Sequence, residues 1–273
     1  MSPASTSDRP AFTEERRQQI LERVRVEGRV RVKDLAQSIG VTEATIRKDI
    51  ADLDRTRLLR RTHGGAIAIN PAYEPDVADR VERNSEAKEA IARACLEEIE
   101  DGDAVFLDSG TTTGTIARLM GDPTVGLEGV RLPVNINVLT NAMVVATYLA
   151  PVATVRHTVL GGSYRPLGGS FVGPLAISSL QQFTLNIAFI AGTGIDSSGV
   201  TVADLGEAQV KIAAMNQAKR VIVPLDHSKI GVTDFVRVSD LDQIDMVVTD
   251  RDSDSLQRIC EQHASTLKVA NTR

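Results

Sequence analysis

The chain has 273 residues, enough for one large domain or two ordinary ones. Hydrophobic residues make up 42% but aromatic residues only 3%, with no Trp, so any core must be built mostly from aliphatic side chains. No apolar run approaches the ~18 residues that cross a bilayer, and no charged and then apolar leader opens the sequence. These features predict a cytoplasmic protein without a membrane partner.

The cysteines and histidines give no indication of a metal centre. Cys95 and Cys260 each lie in an apolar helical pattern. A disulfide between them is compatible with the sequence, but two thiols in a chain of this length are more typical of small core residues in a reducing compartment. The histidines share no ligand spacing with each other or with a cysteine, so we expect neither a metal nor a cofactor. They are His63, His157, His227 and His263.

Charge is unevenly distributed along the chain. The net charge is −5, yet residues 1–65 carry 14 basic and 10 acidic side chains, and residues 66–273 carry 17 and 26. A basic head on an acidic body is typical of a polyanion-binding module joined to a second module.

The basic head shows the pattern of a small helical domain. Residues 1–12 lack core-forming content and are predicted to be a disordered leader, after which Thr13 can cap a first helix. A β-branched piece at 30–32 precedes a second helix over Lys33–Ile39, which Gly40 stops.

The third helix of this domain indicates a function. Thr42 is its natural N-cap, and Ile46, Ile50 and Leu53 recur at the spacing of one buried stripe. The opposite face is small, hydroxylated and cationic, which suits insertion into a DNA major groove. Its residues are Ala44, Thr45, Arg47, Lys48 and Ala51.

A β-wing is predicted after this helix. Leu58 and Leu59 are apolar anchors, Arg60 and Arg61 are paired cations that would face phosphates, and a glycine turn follows at His63–Gly65. From the spacing alone, a three-helix cap with incidental surface arginines is also possible.

Residues 13–66 resemble the winged helix-turn-helix of the DeoR family. The resemblance is carried by Arg17-x-x-Ile20-Leu21, Val32-x-x-Leu35-Ala36, the run from Val41 to Ile50 and the run from Arg61 to Ala66. It implies a sequence-specific DNA-binding transcriptional regulator. The predicted DNA-binding residues are Thr42, Ala44, Thr45, Arg47, Lys48, Arg60, Arg61 and His63.

We predict a DNA-binding domain over 13–68, a linker over 69–84 and a second domain over 85–273. The second domain should open with a helix from Ser85 to Glu100, and strand-like and helix-like pieces then alternate, which predicts a mainly parallel sheet flanked by helices. The predicted strands are Ala104–Leu107, Ile136–Leu139, His157–Leu160, Ile187–Ile190, Arg220–Val223 and Met246–Val248. The predicted helices are Asn141–Leu149, Pro174–Gln182, Glu207–Ala218 and Ser253–His263. The pattern leaves the strand order open.

The first strand leads into a turn rich in glycine and hydroxyl groups, Asp108-Ser109-Gly110-Thr111-Thr112. Its glycines let backbone N–H groups approach a ligand, and the following helix N-terminus favours an anion. This predicts a phosphate site with Asp108 at its rim. The alternative is an ordinary strand-to-helix turn whose threonine hydroxyls cap the helix.

Loops after parallel strands share one sheet edge, where ligands bind. The other loops contain Thr140-Asn141, Gly161 to Arg165, Gly192 to Asp196 and Asp226 to Lys229. Together they suit a polyhydroxylated, phosphorylated small molecule, since a phosphate favours N–H groups and cations such as Arg165, Lys211 and Lys229. Taken singly, each loop could instead be a plain turn or a surface ion pair.

Residues 85–250 are similar to the DeoR family's C-terminal sensor domain. The motifs are Asp108–Thr112, Thr140-Asn141, Gly161-Gly162, Phe171–Pro174, Gly199-x-Thr201, Glu207-Ala208-x-x-Lys211 and Asp226-x-Ser228-Lys229. The resemblance implies that Gly110, Thr111 and Thr112 hold phosphate, and that Lys229 closes the edge. The full predicted effector set is Asp108, Gly110, Thr111, Thr112, Thr140, Asn141, Gly161, Arg165, Glu207, Lys211, Asp226 and Lys229.

The two resemblances imply an α/β protein: a winged helix-turn-helix followed by a Rossmann-like, mainly parallel sensor domain similar to ribose-5-phosphate isomerase. The alternative function is a sugar-phosphate isomerase-like enzyme with a DNA-binding head, for which Asp108 or Glu207 could be the base. Because a shared fold does not transfer activity, we expect no catalytic residues, and Asp108 as an acceptor for a hydroxyl or amine. The expected protein is a homo-oligomeric repressor (dimer or tetramer) of carbohydrate-metabolism genes, which binds operator DNA and a phosphorylated sugar.

Overall fold

The computed structural model describes residues 9–27, 29–55, 59–68, 80–81, 83–122 and 130–270. The chain divides into two compact units, Met1–Tyr73 and Glu74–Arg273. The division falls within the segment predicted to be a linker, and each unit is described separately below.

In its described part, the first unit contains three helices and a three-stranded antiparallel sheet of order β1-β3-β2. This is the architecture of a winged helix-turn-helix. The elements are α1 (Arg9–Glu27), β1 (Arg29–Arg31), α2 (Val32–Ile39), α3 (Glu43–Arg55), β2 (Leu59–Thr62) and β3 (Gly65–Ala68).

The predicted N-cap residues agree with the structure at Thr42 but not at Thr13. Thr42 caps α3 as predicted, since its Oγ1 accepts the N–H of Thr45 at 3.3 Å. The predicted cap at Thr13 is wrong because α1 begins at Arg9 and Thr13 lies within it. Pro10 is compatible with the first turn, where no intrahelical N–H bond is needed. The predicted disordered leader, residues 1–12, is also wrong from Arg9 onward, where this helix begins. Residues 1–8, like Leu58 of the predicted wing, lie outside the described residues.

The second unit is a three-layer α/β structure. The described residues form a seven-stranded, wholly parallel sheet of order β15-β14-β12-β9-β4-β5-β6, an antiparallel sheet β10-β11-β13 and a hairpin β7-β8. The helices are α4 (Ser85–Leu96), α5 (Thr111–Gly121), α6 (Met143–Leu149), α7 (Pro174–Leu180), α8 (Leu205–Gln217) and α9 (Asp254–Gln262). The parallel strands are β4 (Ala104–Leu107), β5 (Ile136–Thr140), β6 (Val155–Val159), β9 (Leu185–Phe189), β12 (Ala218–Pro224), β14 (Met246–Thr249) and β15 (Thr266–Val269). The antiparallel strands are β7 (Ser163–Arg165), β8 (Ser170–Val172), β10 (Gly194–Asp196), β11 (Gly199–Val202) and β13 (Val236–Ser239).

Two predictions for this unit need correction. Helix α4 ends at Leu96 rather than Glu100, because the N–H groups of Glu98 and Ile99 bond three residues back and tighten the final turn. The second correction concerns the predicted loops at residues 161–165 and 192–196. Ser163–Arg165 pairs with Ser170–Val172 as a hairpin, and Gly194–Asp196 pairs with Gly199–Val202.

Alternate residues of the sheet pack on opposite layers. Val105 and Leu107 of β4 join one core with α4, α5 and α6, whereas Phe106 joins the other with α7, α8 and α9. Cys95 belongs to the first core and Cys260 to the second, so they are free, buried thiols, and burial raises the pKa of each. None of the described helices is both long and apolar enough to cross a membrane.

The strand order creates a switch point between β4 and β9, and the sheet edge beyond it is named the crevice. From β4 the chain winds through β5 and β6 on one side, then returns to β9 on the other side of β4 and continues outward. Ligands of open parallel sheets bind where the winding reverses, beyond the carboxyl ends of the strands. Asp108 directly follows β4 and Ala191-Gly192 follow β9, so both loops open onto this crevice.

Candidate functional site

Helix α3 presents the surface that its periodicity predicts. Its apolar stripe is buried, with Ile46, Ile50 and Leu53 each at most 4% exposed. Ala44, Arg47 and Lys48 are exposed on the outside, and Arg47 Nη2 contacts Glu43 Oε2 at 2.8 Å. Thr45 and Ala51 are half-buried beside them. The outer face therefore combines small residues with two cations, as DNA recognition requires.

A buried ion network connects α3 to α1. Asp49 is 2% exposed, and its two oxygens accept Nε of Arg16 at 2.6 Å and Nε of Arg17 at 3.2 Å. Arg17 also contacts Asp52 on the next turn. No sequence motif indicated this network, although a carboxylate three residues after Ile46 falls on the buried side of the helix and must find a partner there.

The predicted wing is present as the β2–β3 hairpin. Arg60 and Arg61 are both exposed on β2, which is an edge strand, and His63 is exposed in the turn. Consecutive residues of a strand point to opposite faces, so the two arginines leave the hairpin in opposite directions. Gly65 is required where it stands, because a Cβ there would overlap the Val30 carbonyl.

Asp108 is the central residue of the crevice. It is fully buried, its Oδ1 accepts the N–H of Ser109 at 2.7 Å, and its Oδ2 accepts the N–H of Ala191 at 2.9 Å. The Lys211 ammonium, from α8, also donates to Oδ2. Burial raises the pKa of Asp108, and the charge and hydrogen bond of Lys211 oppose that shift. Asp108 thus accepts an amine and joins β4, β9 and α8.

The turn after Asp108 approaches β9 too closely for a side chain. A Cβ on Gly110 would lie 2.6 Å from the Ala191 Cβ. The N–H groups that open α5 have no intrahelical partner, and Thr112 Oγ1 is buried without a hydrogen-bond partner among the described residues. The Thr113 hydroxyl donates backward to the Gly110 carbonyl at 3.0 Å, so it does not cap the helix. The turn therefore has donors available for an anion.

Thr140 and Asn141 support this turn from behind. Both are fully buried. Thr140 Oγ1 donates to the Leu107 carbonyl at 2.6 Å, and Asn141 Oδ1 accepts the N–H of Ser109 at 3.0 Å. Their polar atoms are engaged by backbone groups, so they shape the crevice instead of facing it.

Arg165 and Glu207 form one cluster at the start of α8. Arg165 Nη1 lies 3.2 Å from Glu207 Oε1, and its Nε lies 3.2 Å from Asp204 Oδ2. The Ser170 hydroxyl donates to the same Glu207 oxygen at 2.9 Å. Because Glu207 and Lys211 are four residues apart on α8, this cluster lies on the same helix face as the Lys211–Asp108 pair.

Gly161, which belongs to the predicted effector set, has open surroundings. It is exposed, and a Cβ there would only touch Leu175 at 4.0 Å. The constrained glycine is its neighbour Gly162, where a Cβ would lie 2.6 Å from the Val172 carbonyl oxygen.

The loop after β12 places two further charges at the crevice. Asp226 Oδ1 accepts the Ser228 hydroxyl at 2.5 Å and Asn84 Nδ2 at 2.8 Å, and Lys229 Nζ donates to the Gly192 carbonyl at 2.9 Å. Burial alone would raise the pKa of Asp226, but these hydrogen bonds and the charge of Lys229 leave it below its usual range.

Lys229 and Lys88 give the crevice its positive character. Burial lowers the pKa of each to about 8, and the charge of Asp226 opposes both shifts. The positive charges of Lys88, Arg80 and Lys211 lower the Lys229 value further. The sequence motifs missed Lys88, yet it extends the buried stripe of Ile91 and Cys95 toward the start of α4, where a lysine must find acceptors.

A small winged helix-turn-helix followed by an α/β domain with charged loops at one sheet edge defines the class of ligand-sensing transcription regulators. The model of the DeoR-like helix-turn-helix domain matches residues 16–72, and that of the DeoR C terminal sensor domain matches residues 83–251. The chain belongs to the DeoR family, as the sequence motifs indicated.

Relatives match over most of their length. A protein of Escherichia coli O157:H7, provisionally named as the aga operon transcriptional repressor, is 36% identical over 93% of each chain. The glycerol-3-phosphate regulon repressor of Escherichia coli K12 is 30% identical over 85% of this chain and 88% of its own. The lactose phosphotransferase system repressor of Streptococcus mutans is 29% identical over 90% and 93%. These matches confirm a DNA-binding transcriptional regulator, and the isomerase-like alternative is not favoured.

Among solved structures, the chain overlaps ribose 5-phosphate isomerase A from Methanocaldococcus jannaschii with a TM-score of 0.38 and 16% identity, over 54% of this chain and 55% of that one. The translation initiation factor eIF-2B from Pyrococcus horikoshii gives a TM-score of 0.40 and 13% identity, over 85% and 78%.

Proposed function

We propose that this chain is a cytoplasmic repressor of carbohydrate-metabolism genes that leaves its operator when a phosphorylated sugar occupies the β4–β9 crevice. The observation that carries the proposal is the make-up of the crevice, in which a glycine turn packs against Ala191 after β9 and the ammonium groups of Lys229 and Lys88 donate to carbonyl oxygens. The names of relatives for the aga operon, the glycerol-3-phosphate regulon and the lactose phosphotransferase system support the ligand class.

The phosphate should bind between the start of α5 and Lys229. Lys211 and Arg165 are neutralised by Asp108, Asp204 and Glu207 in direct contacts. Lys229 instead donates to a carbonyl oxygen, and the helix N-terminus adds N–H donors. A dianionic phosphate would offer Lys229 a charged acceptor in place of this neutral one, since ammonium–phosphate hydrogen bonds are stronger than bonds to neutral acceptors.

The sugar hydroxyls should face the Arg165–Glu207 cluster. Carboxylate oxygens accept hydroxyl protons, while the Arg165 guanidinium donates to hydroxyl oxygens. Asp108 supports this side through Lys211 and does not act as a base. Thr140, Asn141 and Gly161, which belong to the predicted effector set, act here through the shape of the surrounding loops.

DNA recognition is assigned to the domain predicted over 13–68, and sensing to that predicted over 85–273. We expect a dimer or tetramer, because symmetric assemblies match repeated half-sites. Binding of effector and operator must be reciprocally linked, so each weakens the other by the same factor.

The ligand is tested by thermal shift with matched pairs: glucose 6-phosphate with glucose, ribose 5-phosphate with ribose, glycerol 3-phosphate with glycerol, and inorganic phosphate alone. At least one phosphorylated member should raise the melting temperature and its parent should not. Gly110→Ala should abolish that shift, because the added Cβ meets Ala191. Gly114→Ala is the matched control, since its Cβ would lie 3.5 Å from Val144 and fit. Equal shifts in both variants would contradict the assigned site.

The DNA surface is tested with a duplex that the wild-type chain selects from a random-sequence pool. Lys48→Ala should weaken binding at least tenfold, whereas Lys219→Ala, an exposed lysine of the second unit, should not. Arg60→Ala and Arg61→Ala, made separately, show which face of the wing meets DNA. Wild-type affinity in Lys48→Ala would overturn the groove assignment.

A further inference from the structure

The residues just before α4 are hydrogen-bonded to the crevice at several points. The lead-in segment consists of Arg80, Val81, Arg83 and Asn84, which follow the stretch that comes from the first unit. None of them belongs to a motif of the predicted effector site. Their contacts show that the end of the predicted linker is part of the sensor domain's charged edge.

Lys88 makes the most extensive of these contacts. It is 4% exposed, and its ammonium donates to the carbonyl oxygens of Arg80, Val81 and Arg83, with 3.3 Å to that of Val81. An ammonium has three protons, so these carbonyls use all of them. A buried lysine is therefore held in place by three neutral acceptors from one short stretch of chain.

Two other contacts connect the segment to loops of the effector site. Arg80 Nη2 donates to the Leu167 carbonyl at 2.8 Å, in the hairpin turn that follows Arg165. Asn84 Nδ2 donates to Asp226 Oδ1 at 2.8 Å and to Ser228 Oγ at 3.3 Å. Asn84 has a left-handed backbone with φ of 55°, which Asn tolerates better than most residues.

Lys88 is also within electrostatic reach of the crevice. Its charge interacts with that of Asp226 and with that of Lys229. Arg80, Arg83 and Lys229 repel it, while Asp226 attracts it. A phosphate dianion beside Lys229 would compete with the three carbonyls for the Lys88 ammonium, and charge-assisted hydrogen bonds are about twice as strong as neutral ones.

We propose that Lys88 is a positioning residue that holds the lead-in segment in the DNA-binding state, and that effector phosphate withdraws Lys88 from this segment. The claim that phosphate withdraws Lys88 rests on the proposed function. The claim that Lys88 holds the segment does not, because it concerns the protein without ligand. The segment would then carry the occupancy of the crevice into the chain that leads to the DNA-binding unit.

The first experiment measures operator affinity without ligand, using the full chain and the duplex selected by the wild type. Lys88→Met keeps the volume and removes the hydrogen bonds, so it should weaken binding at least tenfold, and Lys88→Arg should restore most of it. Lys268→Met is the matched control. At the other end of α4, Lys268 donates to the Ala94 carbonyl at 3.1 Å and to the carboxylates of Glu97 and Glu98. Its loss should leave operator affinity within twofold.

Wild-type operator affinity in Lys88→Met would overturn the proposal. If that variant fails to fold, Asn84→Gly takes its place, since glycine keeps the left-handed backbone and removes the bonds to Asp226 and Ser228. It should weaken operator binding severalfold, and unchanged binding would count against the proposal equally.

The second experiment needs no DNA. Amide hydrogen exchange of a peptide covering residues 80–88 is followed with inorganic phosphate and with the sugar phosphates of the thermal-shift panel. Exchange in the wild type should rise at least threefold with phosphate, and exchange in Lys88→Met should be high throughout. Protection or no change in the wild type would overturn the proposal. A wild type that selects no duplex counts against the proposed function instead.

Discussion

Both units of this regulator bury an aspartate, but the two aspartates have different surroundings. Asp49 in α3 is held by Arg16 and Arg17, whose side chains remain 16% and 32% exposed. Asp108 meets Lys211 with both side chains at most 2% exposed. The Asp49 network joins two helices at the edge of a small core, whereas the Asp108–Lys211 pair lies at the proposed effector site.

The comparison distinguishes charged groups that fix the orientation of a helix from charged groups that can bind a ligand. Around Asp49 the guanidinium groups satisfy the carboxylate, so the network orients α3 without needing a ligand. Around Asp108 further cations remain, because Lys229 and Lys88 donate to carbonyl oxygens. Buried charge without full pairing is costly, and it persists at places where a partner is expected to arrive.

The largest effect should come from breaking the pair in the crevice. Lys211→Met leaves the Asp108 carboxylate buried without its cation, which should lower the free energy of unfolding of the second unit by about 3–5 kcal/mol. Denaturant unfolding measures this. The double variant Asp108→Asn with Lys211→Met should recover most of the loss, since it removes both charges. If the single and double variants were equally unstable, the contribution of the charge pair would be refuted.

Breaking the network in the DNA-binding unit should cost less. Asp49→Asn should lower the free energy of unfolding by about 1.5–3 kcal/mol, the range for hydrogen bonds to charged groups, because the two arginines can still reach water. Asp52→Asn is the control on the same helix. Its side chain is 23% exposed, so its loss should cost less than about 1 kcal/mol. Equal losses in Asp49→Asn and Asp52→Asn would show that burial of Asp49 does not increase its contribution to the free energy of unfolding.

The pH dependence of effector affinity tests the crevice separately from the Asp49 network. Lys229 has a pKa of about 8, so it loses its charge above that pH, and sugar-phosphate affinity should fall by up to about tenfold per pH unit there. Below about pH 6 the phosphate becomes a monoanion, and affinity should fall again. Calorimetric titration across this pH range tests both decreases in affinity. Lys229→Arg stays charged, so it should reduce the decrease above about pH 8. A flat profile in the wild type would argue against Lys229 as a phosphate ligand.

The same shift affects the protein without ligand. The pKa of Lys229 is lower in the folded chain than its ordinary value near 10.5, so the unfolded state binds more protons between about pH 8 and 10.5. Stability contributed by this group should therefore rise with pH across that window. Lys88 adds a shift in the same direction.

The smallest effect should come from the cap of α3. Thr42→Ala removes the acceptor for the Thr45 N–H and should cost about 1 kcal/mol, while Thr42→Ser should cost much less. Thermal unfolding measures the difference. Because Thr42 also belongs to the predicted DNA-binding set, Thr42→Ser should preserve operator affinity if only the hydroxyl matters.

Much of the fold followed from periodicity, because buried strands such as Ala104–Leu107 and helices such as Met143–Leu149 have dense apolar patterns. The edge strand Thr266–Val269 was missed, since it is only partly buried and lacks such a run. The hairpin beginning at Ser163 was missed because its first strand has only 3 residues and is mostly exposed.

The charged residues of the candidate site could be picked out from the sequence where a loop follows a predicted strand, as at Asp108 and Asp226. Lys88 and the Arg16–Asp49 contact could not be found in this way. They depend on how a helix meets residues distant in sequence, or on chain outside any motif. Thr140 and Asn141 were predicted as effector ligands from their residue types and their position after a strand. In the structure their side chains bond to backbone groups.

The central claim is that a phosphate in the crevice controls DNA binding, and one titration tests it directly. Fluorescence anisotropy follows the labelled duplex bound to the wild-type chain while a sugar phosphate that raises the melting temperature, or its unphosphorylated parent, is added. The account predicts release by the phosphorylated sugar alone, and loss of that release in Gly110→Ala but not in Gly114→Ala. Equal release by the parent sugar, or a duplex that stays bound at saturating sugar phosphate, would contradict it.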